Sequence, residues 1–198
     1  TITTTGLVDS FDYNTHNGQK LFAGGTETYG STDLDSVFSE IKDLDYSFVL
    51  SLSNGDDAQS SENTKMLYHI TNESEFNRFL VIGGGNDSTK YTQTNGSIPT
   101  AKYFDSSHVI VCHSGFKEKM NFSSQKKNRS SLYTAALVTG RLAGLAPQTS
   151  ITFKTLRISE WNHLLNKSQR EGALQSGVLH IRNVAGIGYV INQGINTI

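Results

Sequence analysis

Short apolar runs alternate with amphipathic or polar stretches along most of this chain. In residues 33–44, Leu34, Val37, Phe38, Ile41 and Leu44 recur at helical spacing, with Ser31 or Thr32 placed to cap the first turn. Residues 46–52 form a mostly apolar run of strand length that ends at the turn signal Ser53-Asn54-Gly55. Residues 58–69 are polar and helical in character. Residues 79–82 predict a second strand, stopped by Gly83-Gly84-Gly85, and residues 109–112 a third. The clearest helix is 130–145, with Ser130 or Ser131 to cap it and Pro147 to stop it. Beyond it the pattern predicts a short strand at 152–156 and a short helix at 169–175 closed by Gly177. A hairpin then joins 178–181 to 189–191.

Short apolar strands separated by helices argue for a parallel sheet buried on both faces. The closing strand pair adds an antiparallel element. The expected fold is therefore α/β: three layers, a mixed sheet with helices on both faces, and a C-terminal antiparallel hairpin. No internal repeat, heptad pattern or long linker interrupts it, and 198 residues suit a single such domain.

Composition narrows the class. Hydrophobic residues make up 36% of the chain and charged residues 18%, below the usual quarter, so much of the surface is Ser, Thr, Asn, Gln and Gly. There is no apolar run long enough to span a membrane and no signal-peptide pattern. The chain opens at Thr1, as a processed start or an excised piece would. Cys112 is the sole cysteine, which excludes an internal disulfide and a cysteine metal cluster. Charge is polarised: residues 1–112 hold 15 acids and 6 bases, whereas residues 113–170 hold 2 acids and 10 bases. Such a chain can attract copies of itself, acidic face to basic face. The same basic stretch could meet nucleic acid or an acidic partner, or the fold could mix the two sets in space.

In an open parallel sheet, sites form beyond the carboxyl ends of the strands. The candidates there are Ser53, Asn54, Asp56 and Asp57, then Gly83 to Gly85 with Asn86 and Asp87, then His113 and Ser114. They could hold a phosphate or a metal, which frames a flavodoxin-like or Rossmann-like enzyme as the alternative function. The glycine run lacks the G-x-G-x-x-G spacing and reads as a turn, and no phosphate-loop motif occurs. Ser114 is not in a G-x-S-x-G elbow. Cys112 and His113 are neighbours on a strand, so their side chains oppose one another, and Cys112 reads as a buried, inert thiol. The six histidines show no H-x-x-x-H or Cys–His metal spacing. Asp56-Asp57 reads as a solvated acidic loop. Lys117, Lys119, Lys126, Lys127 and Arg129 interleave with Phe116 and Phe122, a pattern that can bind single-stranded nucleic acid, although the segment reads as an exposed insertion loop. No catalytic, cofactor-binding or metal-binding residue is assigned.

The strongest signal is the stretch SSLYTAALVTGRLAGLAPQTSITFKTL. Ala136, Gly140 and Gly144 form a smooth strip along one helix face. Each interior glycine costs about 1 kcal/mol against alanine, which suggests a packing reason such as a backbone close against the sheet. This helix, with Ala136, Gly140, Ala143 and Gly144 and then Ala146-Pro147, resembles the A-x-x-x-G-x-x-A-G segment of contractile tail sheath proteins. Gly24-Gly25-Thr26 is similar to that family's loop before the first core helix. Gly177-Val178 and the stretch from Gly194 to Thr197 are similar to its hairpin and Gly-x-x-Thr strand. The likeness runs in order over about residues 20–198. Two departures place the chain on a distant branch: Lys127-Asn128-Arg129-Ser130 stands where the family has a proline, and 115–129 is unusually basic.

The resemblance implies a structural subunit and no enzyme. Such subunits stack in rings around a tail tube and contract to drive it through the host envelope, without a cofactor. Implied partners are other sheath copies, the tail tube, baseplate and tail terminator proteins, with no membrane and no nucleic acid. The implied location is the virion tail, assembled in the bacterial host cytoplasm. The family continues past the Gly-x-x-Thr strand, so the chain is expected to be a central fragment of 1–198 lacking the N-terminal region and the C-terminal domain.

Overall fold

The computed structural model describes residues 31–52, 60–84, 96–119, 125–146 and 149–194. In chain order these form α1 (Ser31–Ile41), β1 (Phe48–Leu50), and α2 (Ser61–Tyr68), which runs into a π-helical turn (His69–Glu73). Next come β2 (Phe79–Gly84), α3 (Ser97–Phe104), β3 (Val109–His113), β4 (Phe116–Lys119), β5 (Lys126–Arg129) and α4 (Ser131–Ala143). The series closes with β6 (Glu160–Trp161), α5 (Lys167–Gln175), β7 (Val178–Leu179), β8 (Ile181–Val184) and β9 (Gly188–Ile191).

The apolar runs build a four-stranded sheet in the order β1-β2-β3-β7, every pair parallel. Alternation along the strands divides the core in two. Val81, Cys112 and Leu179 face α4, where Ala135 and Val138 meet them. Leu80, Ile82, Val109, Val111 and Val178 face the other side, under Met66, Ala101, Phe104 and Ala173 from α2, α3 and α5. Each fully buried aliphatic side chain contributes about 1.5–3 kcal/mol, and both faces are paid for in this way. The three-layer α/β reading holds. The antiparallel strands lie in two separate sheets, β5-β4-β6 and the closing hairpin β8-β9.

Several local expectations change. The run at 178–181 divides: Val178 and Leu179 join β3 as its parallel neighbour, and only from Ile181 does the chain enter the hairpin with β9. Residues 152–156 form no regular strand. Phe153 sits at φ 60°, which breaks an extended run, and Thr155 makes an isolated bridge to Val190. Within the stretch read as an insertion loop, residues 116–119 and 126–129 pair as antiparallel strands, and Phe116 is buried opposite Trp161 and anchors them. Ser130 is the N-cap of α4 but makes no side-chain capping bond. The strip of Ala136, Gly140 and Gly144 faces away from the sheet, which Ser131, Thr134, Ala135 and Val138 contact instead. A Cβ added at Gly140 would meet nothing within 4 Å, so the sheet does not explain that glycine.

Candidate functional site

The carboxyl ends of the parallel strands are where the sequence places its chemistry, and the chain itself fills them. A Cβ at Gly83 would lie 2.7 Å from the Leu132 backbone nitrogen, and one at Gly84 would lie 2.9 Å from Ser97 Cα. The two glycines thus let the first turns of α4 and α3 rest on the strand tips. That is the position a phosphate takes in nucleotide-binding folds, at a helix start over a strand end. Here Ser97 and Ser131, both fully buried, occupy it. Ser97 Oγ lies 2.5 Å from His113 Nδ1. Ser114, at φ 60°, turns its carbonyl to accept a 2.8 Å hydrogen bond from Thr134 Oγ1.

His113 sits edge-on to His163, with ring centroids 5.7 Å apart, and His180 acts on it electrostatically. Burial, then these two neighbours, pushes the His113 pKa down to about 3. His180 is lowered to about 4, chiefly by burial. Both rings are neutral packing groups near pH 7. Burial raises the Cys112 thiol, so the expected inert thiol is what the fold holds. The histidine group was not legible in the sequence, because its members come from β3, the loop after β6 and the residue after β7, with no common spacing. Among the described residues, no group of three or more His, Cys, Asp or Glu forms a metal-ion site. Gly85, Asn86, Asp87 and the Asn54, Asp56 and Asp57 loop lie outside the described residues, as do Gly24, Gly25, Thr26, Phe122 and Pro147.

At the opposite end of the strands a buried arginine organises the chain. Arg78, fully enclosed, donates from Nη2 to the carbonyls of Lys42 at 2.7 Å and Leu44 at 2.5 Å, and from Nη1 to Tyr46 Oη at 2.7 Å. Its guanidinium lies 3.7 Å from the Tyr46 ring centroid, and His69 stacks on Phe38 at 4.4 Å beside it. These contacts fix the end of α1 to the start of β2.

The basic segment is placed as the β4–β5 hairpin. Glu160 accepts from both Lys117 and Lys126 at 2.8 Å, and Arg129 pairs with Glu118 at 2.8 Å. The hydrogen bonds from Lys117 and Lys126 hold the Glu160 carboxyl down to about 2. Lys119 and Lys127 project exposed from the two strands. Phe116 is buried in the core beside Trp161, so it is not available to stack on nucleic-acid bases. No helix among the described residues is long and apolar enough to cross a membrane. Among the described residues, the tips of β2 and β3 are packed by Ser97, Ser131 and His113, and the β4–β5 strands carry charged outer surfaces.

No family model matches the chain. It is 25% identical over 197 residues to the tail sheath protein of Bacillus phage SP01, a match covering 98% of this chain and 32% of that protein. Its fold matches the sheath tail protein of Desulfitobacterium hafniense with a TM-score of 0.64 at 17% identity, over 90% of this chain and 38% of that one. It also matches a sheath tail protein of Listeria innocua with a TM-score of 0.62 at 15% identity, over 89% and 36% respectively. By sequence along nearly all of its length and by the shape of its fold, this chain is similar to tail sheath proteins, and it spans about a third of the length of those it matches.

Proposed function

We propose that this chain is the α/β core unit of a longer sheath subunit that polymerises in rings around a tail tube and contracts to drive the tube through a host envelope. The observation that carries this reading is the sequence likeness to a phage tail sheath protein across 98% of the chain. The strand tips support it: the crevice used by nucleotide-binding folds of this class is packed with Ser97, Ser131 and His113. Work in this scheme comes from rearranged contacts between copies, with no ligand transformed. Residues 1–198 act as one domain, the partners are other copies, the tube and the end-capping proteins, and the site of action is the virion tail.

The test is to express the full-length protein and image it by electron microscopy. Regular tubular polymers are expected. A protein that stays monomeric at high concentration, or that turns over a nucleotide, would overturn the reading.

A further inference from the structure

The parallel sheet gives the molecule two distinct ends, and among the described residues an acidic rim and a basic hairpin stand at different ends. Asp43 and Asp45 precede β1, Glu73 and Glu75 precede β2, and Asp105 precedes β3, so all five lie at the amino ends of the strands, exposed. Glu40, near the end of α1, joins them. Their basic neighbours there are Lys42, Lys102, the buried Arg78 and, at the far end of α4, Arg141. Apolar side chains sit among the acids, with Leu44 57% and Phe76 39% exposed.

At the opposite end, among the described residues, stands a basic hairpin, with Glu62 in the first turn of α2 as an acid on the same side. The β4–β5 hairpin leaves the carboxyl end of β3 after two residues and leads into α4, whose start rests on Gly83. It presents Lys117, Lys119, Lys126, Lys127 and Arg129 against Glu118 and Glu160. β5 is the edge strand of its sheet, and all of its residues except the half-buried Arg129 are exposed. Lysines on such an edge discourage indiscriminate strand pairing and favour an acidic partner.

From this geometry we infer that the β4–β5 hairpin of one copy docks on the acidic amino-end rim of a second copy. The inference rests on the assembly reading above and adds its polarity and its residues. Unlike patches on one molecule make a heterologous contact, which generates a ring where the rotation closes and an open helix where it does not. Like ends repel, so the same charges reject head-to-head pairing.

The experiment uses the full-length protein, with polymer yield read by sedimentation and electron microscopy. Lys119→Glu with Lys127→Glu spares every ion pair described in the hairpin and should raise the concentration needed for polymerisation about tenfold. Asp43→Lys with Asp45→Lys should do the same. Combining the four should recover most of the loss, which a merely destabilised fold would not. Circular dichroism melting of each variant confirms folding, and a variant that fails to fold is replaced by Lys127→Gln with Asp45→Asn, read as a loss of salt sensitivity. Wild-type polymers with normal assembly in every variant would overturn this contact and leave the assembly reading intact. A wild type that never polymerises would overturn both.

Discussion

At the scale of single residues, the glycines divide into those the fold needs and those it does not. Gly115 joins β3 to β4, and a Cβ there would run into the Arg129 carbonyl oxygen and its backbone, which cannot swing aside. Gly115→Ala is expected to cost about 1–3 kcal/mol, as overpacking against rigid neighbours does. Gly140 lies in the interior of α4 with open space around it, so Gly140→Ala should instead stabilise the chain by about 0.5–1 kcal/mol. Urea titration of the two variants checks the contrast, and equal shifts would contradict it. In the sequence both are isolated glycines, Gly115 between Ser114 and Phe116 and Gly140 between Thr139 and Arg141. What separates them is the backbone that approaches one and not the other, which no local pattern encodes.

Single elements were legible where one period ran long enough. α4 and the β2 and β3 runs show in the sequence because their apolar residues serve one purpose along their length. α3 did not show, because Pro99 reads as a breaker although the first turn of a helix tolerates it. The hairpin at 116–129 was hidden by its charges. Among the described residues of its two strands only Phe116 is buried, opposite Trp161 of β6, and that partner lies far along the chain. The buried aromatic pair, more than the surface ion pairs, should therefore hold this small sheet together. Trp161→Ala is expected to lose about 3–5 kcal/mol, whereas Glu160→Gln should barely move the melting midpoint despite its two lysine partners. Thermal melts followed by tryptophan-independent circular dichroism would decide it, and a large loss from Glu160→Gln would reverse the ranking.

For the whole molecule, the buried histidines set an acid limit. His113 and His180 are held neutral in the fold, at about 3 and about 4, against 6.5 when unfolded. Below 6.5 the unfolded chain takes up protons that the native chain refuses. Their contribution is thus complete above pH 6.5 and declines as pH falls toward 4. Each histidine gives a slope of about 1.4 kcal/mol per pH unit over that interval. Chemical denaturation between pH 7 and pH 5, where most carboxylates stay ionised, should show the decline, and His113→Gln should roughly halve its slope, leaving the share of His180. A stability independent of pH across that range would show that the rings are not shielded. The sequence revealed six histidines and their spacings but not this enclosure, since three distant segments must first converge on the strand tips.

The strand order also bears on how the chain is made. β3 is followed by a hairpin, two helices and β6 before β7 arrives to lie against its free side. During synthesis, the flank of β3 that carries Val111 and Cys112 stays bare until residues 178–179 leave the ribosome. An uncovered apolar strand flank is a ready template for the wrong chain, and a cell producing many copies at once multiplies that risk. Nascent chains of this protein therefore depend on shelter, or on prompt completion, over the interval in which the sheet has three strands and awaits its fourth.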